Sequence, residues 1–300
     1  MDIYEFHQSG QKYSISQIAA DEELATDLQK VLIGLRLLDP PCDGKFGPIS
    51  TEALREFQTR MGCAESGTLD TDTAKKLIET SPLELPPPRL KPGNDLAGRI
   101  IKYMQLKNYH ISTKPEEYNI VYVEGMNSDG TENDDAPNHF NDRRIVIEIV
   151  DGIPIIKGMW EATTEPGTYY TDHPMNPKGA ARIQFNQFKA WKVGPHKNQC
   201  PALVQEASIT VHRDFDRNGF RTGDKLDTGL FGINQHHAND ASRHDIGPWS
   251  AGCLVGRFNA EHEQFMKIIM QDRRYKLNKQ YLFETTIIPC DDLLQKFPLI

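Results

Sequence analysis

Long apolar segments are missing from this sequence of 300 residues. No window approaches the roughly 18 uninterrupted apolar residues that a helix needs to cross a bilayer, so we expect no membrane span. The N-terminus, from Met1 to His7, lacks the basic stretch and the apolar core of a secretory signal peptide. We therefore expect a chain that is made in the cytoplasm without a recognisable export signal.

Positive charge and cysteine are also scarce. There are 34 Lys and Arg residues against 42 Asp and Glu residues, which gives a formal net charge of −8. A nucleic-acid binder would be expected to show a basic patch, so we expect no nucleic-acid partner. The five cysteines are Cys42, Cys63, Cys200, Cys253 and Cys290. An odd number without close pairing does not indicate a disulfide framework, and at least one thiol should be free.

The common zinc-binding spacings, Cys-x-x-Cys and His-Glu-x-x-His, do not occur in the sequence. Nitrogen and sulfur ligands are nevertheless available in one region, from His236, His237, His244 and Cys253. A metal-dependent hydrolase therefore stays open as an alternative function.

An acidic segment resembles the start of a calcium loop. It reads Asp214-Phe-Asp216-Arg-Asn218-Gly, which fits the pattern D-x-D-x-N-G. Position 12 of such a loop is Lys225 rather than glutamate, although Asp224 lies just before it. Two interpretations remain: a weak calcium site with ligands from Asp214, Asp216, Asn218 and Asp224, or a polar turn between two strands.

Helical spacing of apolar residues dominates the N-terminal part of the chain, from residue 22 to residue 80. Two glycine-containing turns, Asp43–Pro48 and Glu65–Asp70, divide this part into three segments. We predict an all-α module of three helices within residues 1–82. A proline-rich linker should follow over residues 83–94.

Strand patterns dominate the rest of the chain, residues 95–300. The dipeptide Asp151-Gly152 lies between two apolar β-type runs and predicts a hairpin. Further strand-like runs alternate with loops, and helices are predicted near Leu96–Leu106 and Ala260–Arg274. The sequence therefore predicts a second, mostly-β domain with flanking helices.

A histidine and a cysteine lie 17 positions apart in this second domain, at His236 and Cys253. A cysteine nucleophile needs a base to form its thiolate and backbone donors for the oxyanion. Gly252 allows the backbone to approach a substrate carbonyl closely. The spacing alone is equally compatible with a buried structural cysteine, which is the usual state of a free thiol.

Both domains resemble families that act at the bacterial cell wall. The N-terminal segment is similar to the peptidoglycan-binding three-helix module in its Leu28-Gln29 pair, its Asp43–Pro48 turn and its Phe57-Gln58 pair. The second domain resembles the L,D-transpeptidase (YkuD-type) catalytic domain. That family has a histidine on a strand, a loop, and then Ser/Thr-His-Gly-Cys, which corresponds here to His236 and to Ser250 through Cys253.

The second resemblance implies a sandwich-type fold and a set of site residues. Cys253 would be the nucleophile and His236 the base, with the base oriented by the carbonyl of His237. Backbone amides near Gly252 and Cys253 would hold the oxyanion, and Ser250 belongs to the same motif. The family's second histidine is Ala251 here and its arginine is Val255. We therefore expect substrate contacts from Trp249, Arg257, His212 and Arg213.

The resemblance implies a cysteine enzyme that acts on peptidoglycan stem peptides as an L,D-transpeptidase or as a carboxypeptidase or endopeptidase. It requires no cofactor. Its place of action would be the periplasm or the cell wall, which suits a phage lysis protein or a secreted antibacterial effector with an immunity or delivery partner. The alternative from another class is a non-catalytic wall-binding protein, which the departures at Ala251 and Val255 favour.

Overall fold

The computed structural model describes residues 1–64, 68–86, 90–197, 200–221 and 223–299. The chain divides into two compact units, Met1–Arg89 and Leu90–Ile300. Parts of the predicted Glu65–Asp70 turn and of the predicted linker 83–94 lie outside the described residues. In the described part of the chain, none of the helices has the length and apolar character needed to cross a bilayer.

The described residues of the first unit form five helices instead of the three that were predicted. These are α1 (Ile3–Ser9), α2 (Ile15–Ala20), α3 (Glu22–Gly34), α4 (Pro48–Arg60) and α5 (Thr71–Glu79). The last three correspond to the predicted helices. The first two are too short to show a helical repeat, but Asp2 and Ser14 begin them with capping boxes. Both helices bury apolar side chains in the core of the unit.

Two buried glutamines hydrogen-bond the turns that follow their helices in this unit. The side-chain amide of Gln29 donates to Asp43 Oδ1 at 2.8 Å and to Ser50 Oγ at 3.1 Å. Its carbonyl accepts from the backbone N–H groups of Asp43 and Gly44 at 3.1 and 2.8 Å. Gln58 donates to the backbone carbonyl of Thr68 at 2.8 Å. These bonds explain why the helix before each turn carries a buried glutamine.

We expect Gln29→Ala to lower the free energy of unfolding of the first unit by about 2–3 kcal/mol, because it leaves buried polar groups of the turn without partners. Chemical denaturation of the full chain, followed by helical circular dichroism, measures this change. The matched control is Gln11→Ala, since Gln11 is exposed. Equal stability of the two variants would contradict the structural role of Gln29.

The second unit contains a closed β-barrel and a separate small sheet, so the prediction of a sandwich is corrected. The strands are β1 (Tyr118–Glu124), β2 (Asp142–Val150), β3 (Ile153–Thr163), β4 (Ala180–Ile183), β5 (Asn186–His196), β6 (Cys200–Gln205), β7 (Ile209–Asp214), β8 (Lys225–Gly229), β9 (Gln235–His237), β10 (Leu254–Gly256) and β11 (Phe283–Pro289). The barrel order is β1-β11-β5-β6-β9-β10-β3-β2, and the small sheet has the order β4-β7-β8. The barrel contains two parallel pairings, one between the first and last strands, β1 and β11, and one between the consecutive strands β9 and β10.

Alternating residues of β1 bury two different faces of the barrel wall. Ile120 and Tyr122 belong to one core cluster. Val121 and Val123 belong to another cluster, which also contains helical residues such as Ile100 and Leu293. This period of two is the side-chain geometry of a strand. The helices of this unit are α6 (Leu96–Leu106), α7 (Thr168–Asp172), α8 (Asn259–Ile269), α9 (Arg273–Leu277) and α10 (Cys290–Lys296), with a short 3-10 helix at Gly247–Trp249.

The predicted hairpin at Asp151-Gly152 is confirmed. Strands β2 and β3 pair in antiparallel register up to Val150 and Ile153. Asp151 and Gly152 have φ values of 52° and 82°, as a two-residue type I′ turn requires at both central positions.

Candidate active site

The turn that carries Cys253 lies beside the start of strand β9. Strands β9 and β10 pair in parallel, with Leu254 opposite Gln235 and Val255 opposite His236. Cys253 precedes β10, and its Sγ accepts a hydrogen bond from the backbone N–H of Asn234 at 3.4 Å. The same sulfur donates to the carbonyl of Gly232 at 3.7 Å. The fold therefore brings Cys253 to the segment that delivers His236.

His236 is held in one tautomer by its neighbour. Its Nδ1 lies 2.9 Å from the carbonyl oxygen of His237. A carbonyl only accepts hydrogen bonds, so Nδ1 carries the proton of the neutral ring and Nε2 is left as the acceptor. The ring is buried and stacks on His196, with centroids 4.0 Å apart and planes 11° from parallel. Nδ1 of His196 in turn lies 3.0 Å from the side-chain amide nitrogen of Asn234.

Desolvation sets the resting charge of the cysteine and the histidine. Burial is the main cause that lowers the pKa of His236 to about 3, and the neighbouring His196 is the second. Burial raises the pKa of the Cys253 thiol, and the hydrogen bond from Asn234 opposes this shift only in part. Both groups are therefore neutral near pH 7. The site rests as a thiol and an imidazole, and it does not store a thiolate–imidazolium pair.

The residues before Cys253 shape the turn. Ser250 Oγ donates to the carbonyl of Cys253 at 2.8 Å and accepts from the backbone N–H of Gly252 at 3.1 Å. Gly252 has φ +124°, and a Cβ there would lie 2.5 Å from the carbonyl oxygen of Ala181. Only glycine fits this position. Because Ser250 already occupies the Gly252 N–H, the expected oxyanion role of that amide does not agree with this geometry.

A cavity of about 610 Å³ opens beside the histidine. His236, His237 and Trp249, three of the residues singled out from the sequence, line it, together with His196, Lys197 and His262. No pattern in the sequence predicts His196, Lys197 or His262 for this site. They come from strand β5, the turn after it and helix α8, and no local spacing links them to His236.

Of the residues predicted for the site, Cys253, Gly252 and Ser250 do not line this cavity, and neither do three predicted substrate residues. Arg257 is held by Glu161 at 2.6 Å and by the carbonyl of Ala241 at 2.9 Å. Arg213 pairs with Asp227 at 3.0 Å in the small sheet. His212 is its neighbour on β7. Arg257 was predicted because it is close in sequence to Cys253, and His212 and Arg213 because they precede the acidic turn. Closeness in sequence does not determine the direction in which a side chain points.

Val255 occupies the position where the transpeptidase family has arginine. It is fully buried in an apolar cluster with Phe140, Ala238 and Ile246, and Cys253 packs against that cluster. An arginine at this position would bury an unpaired charge. The environment, and not only the residue, therefore differs from the family pattern.

Two groups of described residues bring three candidate metal ligands within 4.8 Å of one another. One consists of Asp214, Asp216 and Asp224, and the other consists of Glu124, Asp135 and Glu165. Asn218 lies next to the first group, because its side-chain amide donates to Asp216 Oδ2 at 2.9 Å and its side-chain oxygen accepts from the backbone N–H of Phe220 at 2.7 Å. Neither group contains the four residues considered for zinc, namely His236, His237, His244 and Cys253.

Comparison with protein families identifies the helical region. Residues 21–77 match the family described as "Putative peptidoglycan binding domain". This match confirms the resemblance of the N-terminal helices to a peptidoglycan-binding module. It supports peptidoglycan as a partner of this chain and a function related to the cell wall.

Two solved structures were found by structural comparison, and no curated protein matches the chain. The first is a fused Zn-dependent amidase/peptidase/peptidoglycan-binding domain-containing protein from Clostridium acetobutylicum, with 14% identity and a TM-score of 0.29 over 93% of this chain and 100% of that one. The second is an L,D-transpeptidase from Xylanimonas cellulosilytica, with 14% identity and a TM-score of 0.18 over 88% and 92%. TM-scores this low carry no argument about this chain.

Buried neutral histidines should make the protein less stable in acid. Burial lowers the pKa of His236 to about 3, and burial with the neighbouring Arg144 lowers that of His262 to about 2. An unfolded histidine titrates near 6.5. The unfolded state therefore takes up more protons between about pH 6.5 and pH 3, and the free energy of unfolding should fall by several kcal/mol across that range.

Urea denaturation at pH 7.5, 6.0, 5.0 and 4.5 measures this dependence. His236→Gln removes one of the two titrating groups, so its unfolding free energy should depend less steeply on pH than that of the wild type. His173→Gln is the control, since His173 is exposed. An unchanged slope in His236→Gln would show that this ring is not kept neutral by the fold.

Proposed function

We propose that this protein is a cysteine enzyme of L,D-transpeptidase type that acts on the stem peptides of peptidoglycan, with the N-terminal module binding the wall. The observation that carries the proposal is the pairing of β9 with β10. This pairing places the sulfur of Cys253 against Asn234, two residues before a histidine whose Nε2 is left unprotonated. The cavity beside that histidine provides room for a peptide.

In the proposed mechanism, His236 Nε2 accepts the thiol proton as Cys253 Sγ attacks the carbonyl carbon of a stem-peptide bond. The carbonyl electrons move to the oxygen, which backbone amides such as the N–H of Cys253 stabilise. The C–N bond then breaks, and the leaving amine takes the proton from the imidazolium. An incoming amine or water attacks the thioester, which gives transpeptidation or hydrolysis and restores the thiol.

Because the Cys253 thiol and the His236 ring are both neutral at rest, we expect the thiol proton to move to His236 while the sulfur attacks the substrate carbonyl. A thiolate formed in advance would be disfavoured by the burial that raises the pKa of Cys253. This arrangement also limits reaction of the thiol with small oxidants and alkylating agents, which attack the thiolate.

Substrate recognition would differ from the family pattern. Because Val255 replaces the family's arginine and is buried, a peptide carboxylate needs another cation. Lys197 lines the cavity next to His196 and can supply that charge. Trp249, 39% exposed at the rim, offers an aromatic face to the rest of the substrate.

A phage lysis protein or a secreted antibacterial effector is the setting that we propose for this chemistry, with an immunity or delivery partner in the second case. The competing candidate is a non-catalytic wall-binding protein. The apolar surroundings of Val255 and the loss of the family's second histidine at Ala251 favour it.

Replacement of the cysteine separates these two candidates. Cys253→Ala should lower the turnover of defined muropeptides by at least about 1,000-fold, because it removes the nucleophile and leaves the binding surfaces in place. Mass spectrometry of the products gives the rate and also distinguishes exchange from hydrolysis. Cys63→Ala, in the helical module, is the matched control and should keep full activity. Wild-type turnover by Cys253→Ala would end the cysteine mechanism, and inactivity of the wild type towards every stem peptide would favour the non-catalytic candidate.

Wall binding should depend on the first unit. We expect the full chain to sediment with insoluble sacculi, whereas a chain of residues 90–300 should remain in the supernatant at the same concentration. Circular dichroism and thermal unfolding establish that the shortened chain is folded. Co-sedimentation of residues 90–300 to the same extent as the full chain would assign binding to the second unit instead.

A further inference from the structure

We propose that the loop between β7 and β8 binds a Ca²⁺ ion through the carboxylates of Asp214, Asp216 and Asp224. One carboxylate oxygen of each residue lies within 4.8 Å of the other two. The three side chains come from the end of β7, the turn that follows it and the residue before β8. This site is independent of the thiol chemistry proposed above.

Buried carboxylate oxygens without partners point to a missing ligand. Asp214 is fully buried, and its Oδ2 accepts from the backbone N–H of Gly219 at 3.1 Å. Its Oδ1 is buried without a hydrogen-bond partner in the described part of the chain. The same holds for Oδ2 of Asp224. Removing an unpaired carboxylate oxygen from water is unfavourable, and a cation between these oxygens would compensate for it.

The arginines around the loop are committed to other carboxylates. Arg182 approaches the loop from β4 but pairs with Glu165. Arg221 pairs with Glu124, and Arg213 pairs with Asp227. Three carboxylates thus share a small volume, and the ion pairs of these three arginines in the described residues go to other carboxylates.

The ligand set favours calcium. All three ligands are oxygens, and Asp216 is exposed, so water can complete a shell of six to eight ligands. Zinc sites instead take most of their ligands from histidine nitrogen and cysteine sulfur. Lys225 stands where a calcium loop of this pattern has its bidentate glutamate. We therefore expect weak binding, with a dissociation constant of roughly 10⁻⁴–10⁻³ M, as in extracellular modules.

Calcium would fix the small sheet behind the cysteine turn. Asp214 is the residue of β7 that pairs with Ala180 of β4. The next residue of β4, Ala181, presents its carbonyl oxygen to Gly252. Ordering the loop at the end of β7 therefore supports the strand against which the cysteine turn packs.

The test is calorimetric titration of the full chain with CaCl₂ after removal of metals by a chelator, together with thermal unfolding with and without calcium. The background is Cys253→Ala, so that neither readout depends on activity. We expect one Ca²⁺ per chain and an increase in Tm. Asp216→Asn and Asp224→Asn should each weaken binding at least about 10-fold, because each removes one charged ligand.

The control is Asp172→Asn, an exposed aspartate at the end of α7, which should bind calcium as the parent does. Asp216 is exposed, so its variant is expected to fold even if Asp224→Asn does not. The proposal is overturned if the parent shows neither heat of binding nor a change in Tm up to about 10 mM calcium. It is also overturned if Asp216→Asn binds as tightly as the parent, since calcium would then lie elsewhere.

Discussion

The short parallel pairing between β9 and β10 is the contact on which the site depends. These two strands have three residues each, and their pairing is part of the closed barrel. It places Cys253, the residue before β10, beside Asn234, the residue before β9. Seventeen positions of chain separate His236 from Cys253, and only this register brings their neighbourhoods together. The intervening loop returns to β10 through a turn that Ser250 and Gly252 make tight.

The surroundings of the cysteine and the histidine are as important as their positions. Burial disfavours the charged forms of both groups, and it does so in opposite directions on the pKa scale. Proton transfer between them would therefore create two charges in a poorly hydrated place. In the proposed mechanism, a tetrahedral intermediate would change this balance, because the negative charge would move from sulfur to an oxygen that amide dipoles can stabilise. The low polarity of the site would then favour proton transfer during attack over transfer before it.

Local patterns predicted the parts of the molecule that local physics determines. Short-range spacing in the sequence predicted helices α3, α4 and α5 and the hairpin at Asp151. It also placed Ser250 and Cys253 in one motif. Helices α1 and α2 have only seven and six residues, too few for a periodic signal, and they are defined by their caps and by tertiary burial.

Barrel closure and the lining of the cavity depend on contacts between distant parts of the chain. Parallel pairing of β1 with β11 joins segments more than half the chain apart, so a sandwich and a barrel have the same strand pattern in sequence. His196, Lys197 and His262 reach the cavity only through the fold. Arg257 shows the converse, because its closeness in sequence to Cys253 does not prevent Glu161 from holding it. The acidic loop was recognisable by its spacing, but the hydrogen bonds that the Asn218 side chain makes within the loop required the structure.

The bonds of Gln29 have a consequence for the chemical ageing of the protein. Its nitrogen faces Asp43 Oδ1 and the carbonyl of Lys45, while its oxygen faces two backbone N–H groups. Hydrolysis of this amide to glutamate would put a carboxylate oxygen against that aspartate and that carbonyl, which are both acceptors. Burial protects the amide from water as long as α3 and the turn remain closed. Loss of a single amide nitrogen would thus be irreversible damage to the helical unit, and the rate of that damage would be set by how often the turn opens.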